Sequence, residues 1–567
     1  MNLDSIRALG SKLRRSNEES LILDEWSIFH TYTSFLDVND LDLYEVAAAL
    51  VGNDFAPCIL HRDGTTWFKS NGRVLFGETI YGIESGRTKV NLIGQDSDNI
   101  LDQLNDYAQE SWYQSIQFRM NELIVFEDSF LTDYIRISVG LIKAFSEEKQ
   151  VNYHLYLTIK LYINGVIIVE YREISPQKKL HYADFISSDL NLGMVSFESV
   201  EVPLTIVDLG AKAYHESTFK YSFHQRLKII GIGKRHSRAV QDVKKSVESG
   251  DFVFELAELI NLENSRENLS SIAQTIFSII GYIASNPRQG LSYIFFGQKK
   301  LIKAGNFWSG RPYTFITNFE GQRTSAKENI DVFGHSLGCI MGRSIIQKEA
   351  NPKQYLSKDY RYFDDYSIFL SDSFSLCVWS KQGVDSQKEW NDSNNGSLIY
   401  GQQAINEFLE YGYMINRMLL QKVNDSKDLK AVNQLRSQIL DFKNYIKDAP
   451  RHGEIRELIN ASLKEYGVPE LEARINQRLD LRLDELNRLY NVNNNSTNRL
   501  IAITFGLIAS FSLSNRLIEP IWLYLNFPIS DNQNVQSLVY IIFAFSISVF
   551  LIAVILMVNK YVVTEKG

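Results

Sequence analysis

Between Leu500 and Val558 only Arg516, Glu519 and Asp531 carry charge, and no other feature narrows the possible folds as sharply. The run Leu538–Val558, LVYIIFAFSISVFLIAVILMV, has no charged residue at all. At 1.5 Å per residue it is long enough as a helix to match a hydrocarbon core of roughly 30 Å. The shorter run Leu500–Leu513, LIAITFGLIASFSL, follows the polar stretch Asn491–Asn498. That stretch is either an Asn-rich linker or a helix lining a polar path. Arg474, Arg478, Arg482, Arg488 and Arg499 precede the first run and Lys560 and Lys566 follow the second, with only Arg516 between them. The positive-inside rule then predicts a transmembrane hairpin over 499–567, with both termini cytosolic and a short external loop at 515–537.

The first 490 or so residues differ. The whole chain of 567 residues has a mean hydropathy of −0.17 and 22% charged residues, values of an ordinary globular body of several domains. The net charge of −8 argues against a general nucleic-acid coat. Cys58, Cys339 and Cys377 are isolated, so neither a disulfide framework nor a zinc site follows.

Residues 120–175 carry strand signals. HLYLTIKLYI and VIIVEYREI flank Asn164-Gly165, which predicts a type I′ hairpin. LIVFEDSF and YIRISVGLIKAF extend the antiparallel pattern, and 357–382 returns to it. Helices are expected at Leu41–Val51, near Ile100–Tyr113 and over Ile272–Ala284. The segments Gln402–Val423, Asp425–Lys447 and one beginning at Gly453 read as antiparallel helices. They lead into a stalk from Glu470 to about Asn498, with an apolar face at Leu471, Ile475, Leu479, Leu483, Leu486 and Tyr490. The expected division is α+β over 1–235, a second α+β part over 236–399, helical bundle and stalk over 400–498, and the hairpin over 499–567.

Three constellations are chemically suggestive. Gly231-Ile232-Gly233 is followed by Lys234, Arg235 and Arg238, and glycines with cations ahead of a helix suit an anionic ligand. A solvated basic loop is the alternative, and the phosphate-loop spacing is absent. Asp364-Asp365 can hold a metal, accept hydrogen bonds from a ligand's base, amine or ribose, or simply form a turn. Gly334-His335-Ser336-Leu337-Gly338 fits the G-x-S-x-G nucleophile elbow. The only histidine downstream is His452, and no βα alternation surrounds the motif. A membrane-anchored serine hydrolase is therefore an alternative, and the chain is otherwise expected not to be an enzyme.

The stalk-to-span segment LDELNRLYNVNNNSTNRLIAITFGLIASFSL, followed by a short loop, a second apolar run and a basic tail, resembles the CorA family of divalent-cation channels. The resemblance covers about residues 400–567. It implies a homopentamer in the inner (plasma) membrane, with Mg²⁺ as a possible permeant ion and no other cofactor. Where that family has Gly-Met-Asn, this chain has Ser514-Asn515-Arg516. Its large body and missing signature resemble the CorA-type membrane effectors of type III CRISPR systems, which implies an antiviral ion channel opened by a nucleotide second messenger. On that reading Asn494, Thr497 and Asn498 line the entrance and Asn515 the outer mouth, while Leu500, Ile503 and Leu507 close the pore by dewetting. Lys234, Arg235, Arg238, Asp364 and Asp365 would hold the nucleotide. A constitutive or metal-regulated magnesium transporter is the alternative. The partners implied are the lipid bilayer, further copies of the chain and the nucleotide.

Overall fold

The computed structural model describes residues 20–218, 222–227, 259–345, 354–386 and 398–550, with short interruptions. The division expected at 235/236 falls inside one sheet. Its strands are β1 (Ile22–Phe35), β2 (Cys58–His61), β3 (Thr65–Ser70), β4 (Arg73–Glu84), β5 (Arg87–Ile93), β6 (Tyr134–Ser146), β7 (Val151–Tyr162) and β8 (Val166–Ile174). The shorter ones are β9 (Leu180–His181), β10 (Ser199–Pro203), β11 (Leu259–Glu263), β12 (Trp308–Ser309), β13 (Tyr313–Phe319), β14 (Tyr366–Leu370) and β15 (Ser375–Trp379). The order across the sheet is β14-β15-β13-β1-β8-β7-β6-β2-β3-β4-β5, with β9 and β12 paired to β1 and β10 to β6 and β11. Only β13 and β15 run parallel among these pairs, so the sheet is mixed.

The β7–β8 hairpin forms where the alternation predicts it, but its turn is of another type. Gly165 alone in the turn has a positive φ, +87°, and its N–H donates to the Tyr162 carbonyl. That is the three-residue loop with a left-handed closing residue rather than a type I′ turn. A Cβ on Gly165 would meet the Leu36 carbonyl oxygen at 2.8 Å, so glycine is required here twice over. LIVFEDSF is not a strand. It forms the end of a helix and a 3-10 turn at Asp128–Phe130.

The helices begin at side chains able to accept their free N–H groups. Asp42 caps α1 (Leu43–Gly52) and Asn105 caps α2 (Asp106–Val125), accepting from Glu45 and Ala108 respectively. After α3 (Leu204–Thr218), Asn268 and Ser271 close a capping box on α4 (Leu269–Ala284), and Ser325 caps α5 (Ala326–Met341). The helical bundle comprises α6 (Leu398–Asp425), α7 (Leu429–Asp448) and α8 (Gly453–Glu465), and Gly467 (φ +69°) turns the chain into α9 (Val468–Leu513).

The two faces of the central sheet have opposite chemistry. One is apolar: Ile135, Ile137, Ile159, Leu161, Ile167, Val169 and Tyr171 pack with residues of α1, α3 and α4 into the main core. On the other, Arg136, Lys160 and Glu170 are buried together with Gln403 and Glu407 of α6. Two smaller cores flank these. Phe68, Leu92 and Trp112 pack where α2 backs β3–β5, and Phe333, Leu337 and Ile340 of α5 pack near β13–β15.

The chain divides into two compact units, 1–422 with 437–475, and 423–436 with 476–567. Within the second, the Arg482 guanidinium donates to the Ser426 carbonyl (2.6 and 2.9 Å), and Ile518, Trp522, Tyr540 and Ala544 form a small cluster.

The expected transmembrane hairpin is overturned. Among the described residues no helix is long and apolar enough to cross a membrane. The Leu500–Leu513 run is only the last part of α9, whose earlier turns carry Arg474, Arg478, Asp480, Arg482, Asp484, Glu485 and Arg488. The Leu538–Val558 run is described as helix through residue 546, in a segment that opens with the polar Asn534 and Gln536. Residues 551–558 lie outside the described residues. The transmembrane and ion-channel description and the multi-pass inner-membrane location fall with the hairpin. The α+β body stands.

Candidate functional site

The residues singled out in the sequence do not come together. Lys234, Arg235, Arg238 and Asn515 lie outside the described residues, as do the side chains of Asn494, Thr497, Asn498, Leu500, Ile503 and Leu507 on α9. Asp364 and Asp365 form a turn against the start of α5. The Asp364 carbonyl accepts the Ala326 N–H (2.9 Å), its carboxylate pairs with Arg361 (3.0 Å), and the Asp365 carbonyl accepts the Ser380 N–H (2.8 Å). Ser336 sits inside α5, almost fully buried, and accepts a hydrogen bond from the Leu21 N–H (3.4 Å). A helix interior offers no strained strand-to-helix turn, so the elbow geometry is absent there.

The polar face of the sheet gathers charges that the sequence reading passed over. Arg136 places Nη1 2.8 and 3.1 Å from the two Glu407 oxygens, and Lys160 Nζ lies 2.7 Å from Glu122 and 3.3 Å from Glu407. Arg119 bonds Glu122 (2.7 Å) and Asp128, and Arg62 bonds Asp128 (2.9 Å) and Asp133 (2.7 Å). Arg62, Arg119, Arg136 and Lys160 thus face Glu122, Asp128, Asp133 and Glu407. Burial alone would raise the Glu122 carboxyl, but Lys160 and Arg119 hold it down at about 2.

One carboxyl is left over. Glu170, which accepts from Gln403 Nε2, is pushed up to about 8 by burial and then by the charge of Glu407. A protonated Glu170 therefore completes a neutral layer. The layer is paired throughout and buried at Arg119, Glu122, Arg136, Lys160, Glu170 and Glu407, with Asp128 and Asp133 at its exposed edge, and its chemistry is that of a structural seam. The only signal in the sequence was polar spacing: Gln403, Glu407 and Glu410 at helical intervals, and Arg136, Lys160 and Glu170 in otherwise apolar strands.

An accessible site lies at the β3–β5 end. Register places Trp67 opposite Phe76, Thr65 opposite Glu78, and Glu78 opposite Ile93. Directly opposed residues share a face, and Phe76, Glu78 and Ile80 alternate onto that same face. With Tyr44 of α1 they line an open groove of about 600 Å³. This groove is the apolar face of the sheet continuing past its helical cover. Trp67 is already buried in the main core, whereas Phe76 is 49% and Tyr44 48% exposed.

The rim is built for accepting hydrogen bonds. The Tyr44 hydroxyl donates to Asp63 and also shares a hydrogen bond with the Thr65 side chain, which leaves its oxygen at most one lone pair for a ligand. Asp63 also accepts the Thr65 N–H (2.8 Å) and lies 2.9 Å from His61 Nδ1. Burial opposes ionisation of Asp63, yet hydrogen bonds from Tyr44, Thr65 and His61 hold it down at about 2. The Tyr44 and Trp67 rings meet edge to face at 5.1 Å, which fixes the floor. Glu78 is the charged lining residue, and no Lys or Arg lines the groove among the described residues. No cluster of three or more His, Cys, Asp or Glu side chains is placed to hold a metal ion among the described residues.

No protein family, no curated protein and no solved structure matches this chain.

Proposed function

We propose that this chain is a recognition protein whose β3–β5 groove binds an organic cation bearing N–H donors, of the guanidinium or protonated-amine class. One observation carries the reading. The groove offers the Tyr44, Trp67 and Phe76 rings, the Glu78 carboxylate and the Tyr44 oxygen, with no cation among its described lining residues. Aromatic faces attract cations by about 0.5–2 kcal/mol each, depending on desolvation. A carboxylate favours a planar donor fork, and a guanidinium both stacks on rings and donates in that plane. A phosphate-bearing ligand meets the opposite field here, because Glu78 repels it.

Isothermal titration with agmatine and N-acetyl-arginine amide tests this, with choline and ATP alongside. Agmatine and the arginine derivative are expected to bind. Choline, which has no N–H, binds more weakly, and ATP shows no heat at this groove. Phe76→Ala or Glu78→Gln should each weaken agmatine about tenfold or more. Silence with every organic cation, or undiminished binding in Glu78→Gln, would refute the reading.

A further inference from the structure

Far from the groove in the sheet order, α6 carries two arginine contacts of different kinds near β12. Arg311, almost fully buried, is neutralised: its Nη1 and backbone N–H both reach Glu410 Oε1, at 3.1 and 3.2 Å, and Nε donates to the Asp372 carbonyl at 2.7 Å. Its guanidinium stacks 3.9 Å from the Tyr466 ring centre and 4.5 Å from that of Tyr413. Arg417, one helical turn beyond Tyr413, lies 4.6 Å over Trp308 and 5.9 Å from Tyr413. It has no carboxylate partner among the described residues, although a second guanidinium shares the same two rings.

Beside it, the indole Nε1 of Trp308 is buried with no hydrogen-bond partner. A buried donor left unpaired costs about 1–3 kcal/mol, and a half-buried cation next to another cation adds repulsion. One missing group relieves both: an anion with two oxygens, accepting from the guanidinium and from the indole N–H. A cation cannot serve, since both groups donate and neither accepts.

We infer that Arg417 and Trp308 form an oxyanion site, taking a phosphate or carboxylate group. The rings of Trp308 and Tyr413 hold the Arg417 fork in place, and the fork engages two oxygens at once. Arg311 contributes position, because Glu410 already cancels its charge.

Thermal unfolding of the full chain with phosphate or acetate, compared with chloride at equal ionic strength, tests this. Wild type should be stabilised by phosphate, by acetate or by both, beyond the chloride control. Response to one anion alone assigns the class. Arg417→Gln should weaken the apparent affinity about tenfold, Arg417→Lys should lose less, and Trp308→Phe, which keeps a ring under Arg417, should weaken it several-fold. Absence of an anion-specific shift in wild type would overturn the site, as would equal shifts in wild type and Trp308→Phe. Should Arg417→Gln fail to fold, Trp308→Phe and the wild-type titration still decide.

Discussion

The middle of the sheet and its β3–β5 end handle exposed chemistry in opposite ways. In the middle, a charged strand face is sealed under α6, and each charge meets a counter-charge within hydrogen-bonding reach. At the end, an apolar strand face runs out from under α1 and is left uncovered, with Phe76 and Ile80 in the open. A buried charge stripped of its partner costs the fold about 3–5 kcal/mol. An exposed aromatic face tolerates a missing partner, at the cost of being sticky. The first arrangement therefore marks structure, and the second is what the proposed recognition role requires.

That contrast can be broken at its strongest point first. Glu407→Ala strands Arg136 without its carboxylate in a site where both are almost fully buried. A loss of about 3–5 kcal/mol is expected in denaturant unfolding. Replacing the pair together, Arg136→Met with Glu407→Leu, should recover most of it. A loss below 1 kcal/mol for Glu407→Ala would mean the seam is not the buried layer described.

Glu170 gives the next effect, and its sign is opposite to that of an ordinary carboxylate. Its folded pKa is raised to about 8, so the folded state holds a proton that the unfolded chain releases near its ordinary value of about 4.5. Between those values the native state binds more protons, and stability falls as pH rises. Glu170→Gln keeps the shape without the acid. It should flatten that fall and be more stable than wild type at pH 8, by on the order of a few kcal/mol. A stability profile unchanged between pH 5 and 8 in Glu170→Gln would place the leftover proton elsewhere.

The groove should respond in the reverse sense. Phe76→Ala and Glu78→Gln touch exposed side chains, so stability should stay within about 0.5 kcal/mol of wild type while cation binding drops. A melt shifted as far as that of Glu407→Ala would make the β3–β5 face structural after all. The smallest effect belongs to Tyr44→Phe, which removes the donor to Asp63. The Asp63 carboxyl, now about 2, should titrate closer to the usual range. Its stabilising share, present above about pH 4 and lost as pH falls through about 2, should disappear earlier on acidification. Carboxyl titration by NMR reads this directly.

Periodicity made much of the body legible. The β6–β8 strands, α1, α4 and the α6–α8 helices all lie close to where alternation or helical spacing puts them. The groove was not legible, because Tyr44, Trp67, Phe76 and Glu78 show no motif and meet only through register. The buried seam was missed for a related reason. An isolated charge in an otherwise apolar strand gives no sign of its surroundings, and nothing local shows that α6, more than two hundred residues later, lies over Arg136, Lys160 and Glu170. Asp364-Asp365 and Ser336 mislead in the other direction, since short patterns recur by chance and serve here in a turn and inside a helix.

The amino-acid sequence by itself determined the elements and the chemistry of each face, because hydrogen-bond period and side-chain alternation are local properties of the backbone. Tertiary structure alone decided which face is covered, which charges find partners, and that the described apolar runs near the end form no helix long and apolar enough to cross a membrane. Burial is a property of what packs on top, and that is set by contacts between residues far apart in the chain.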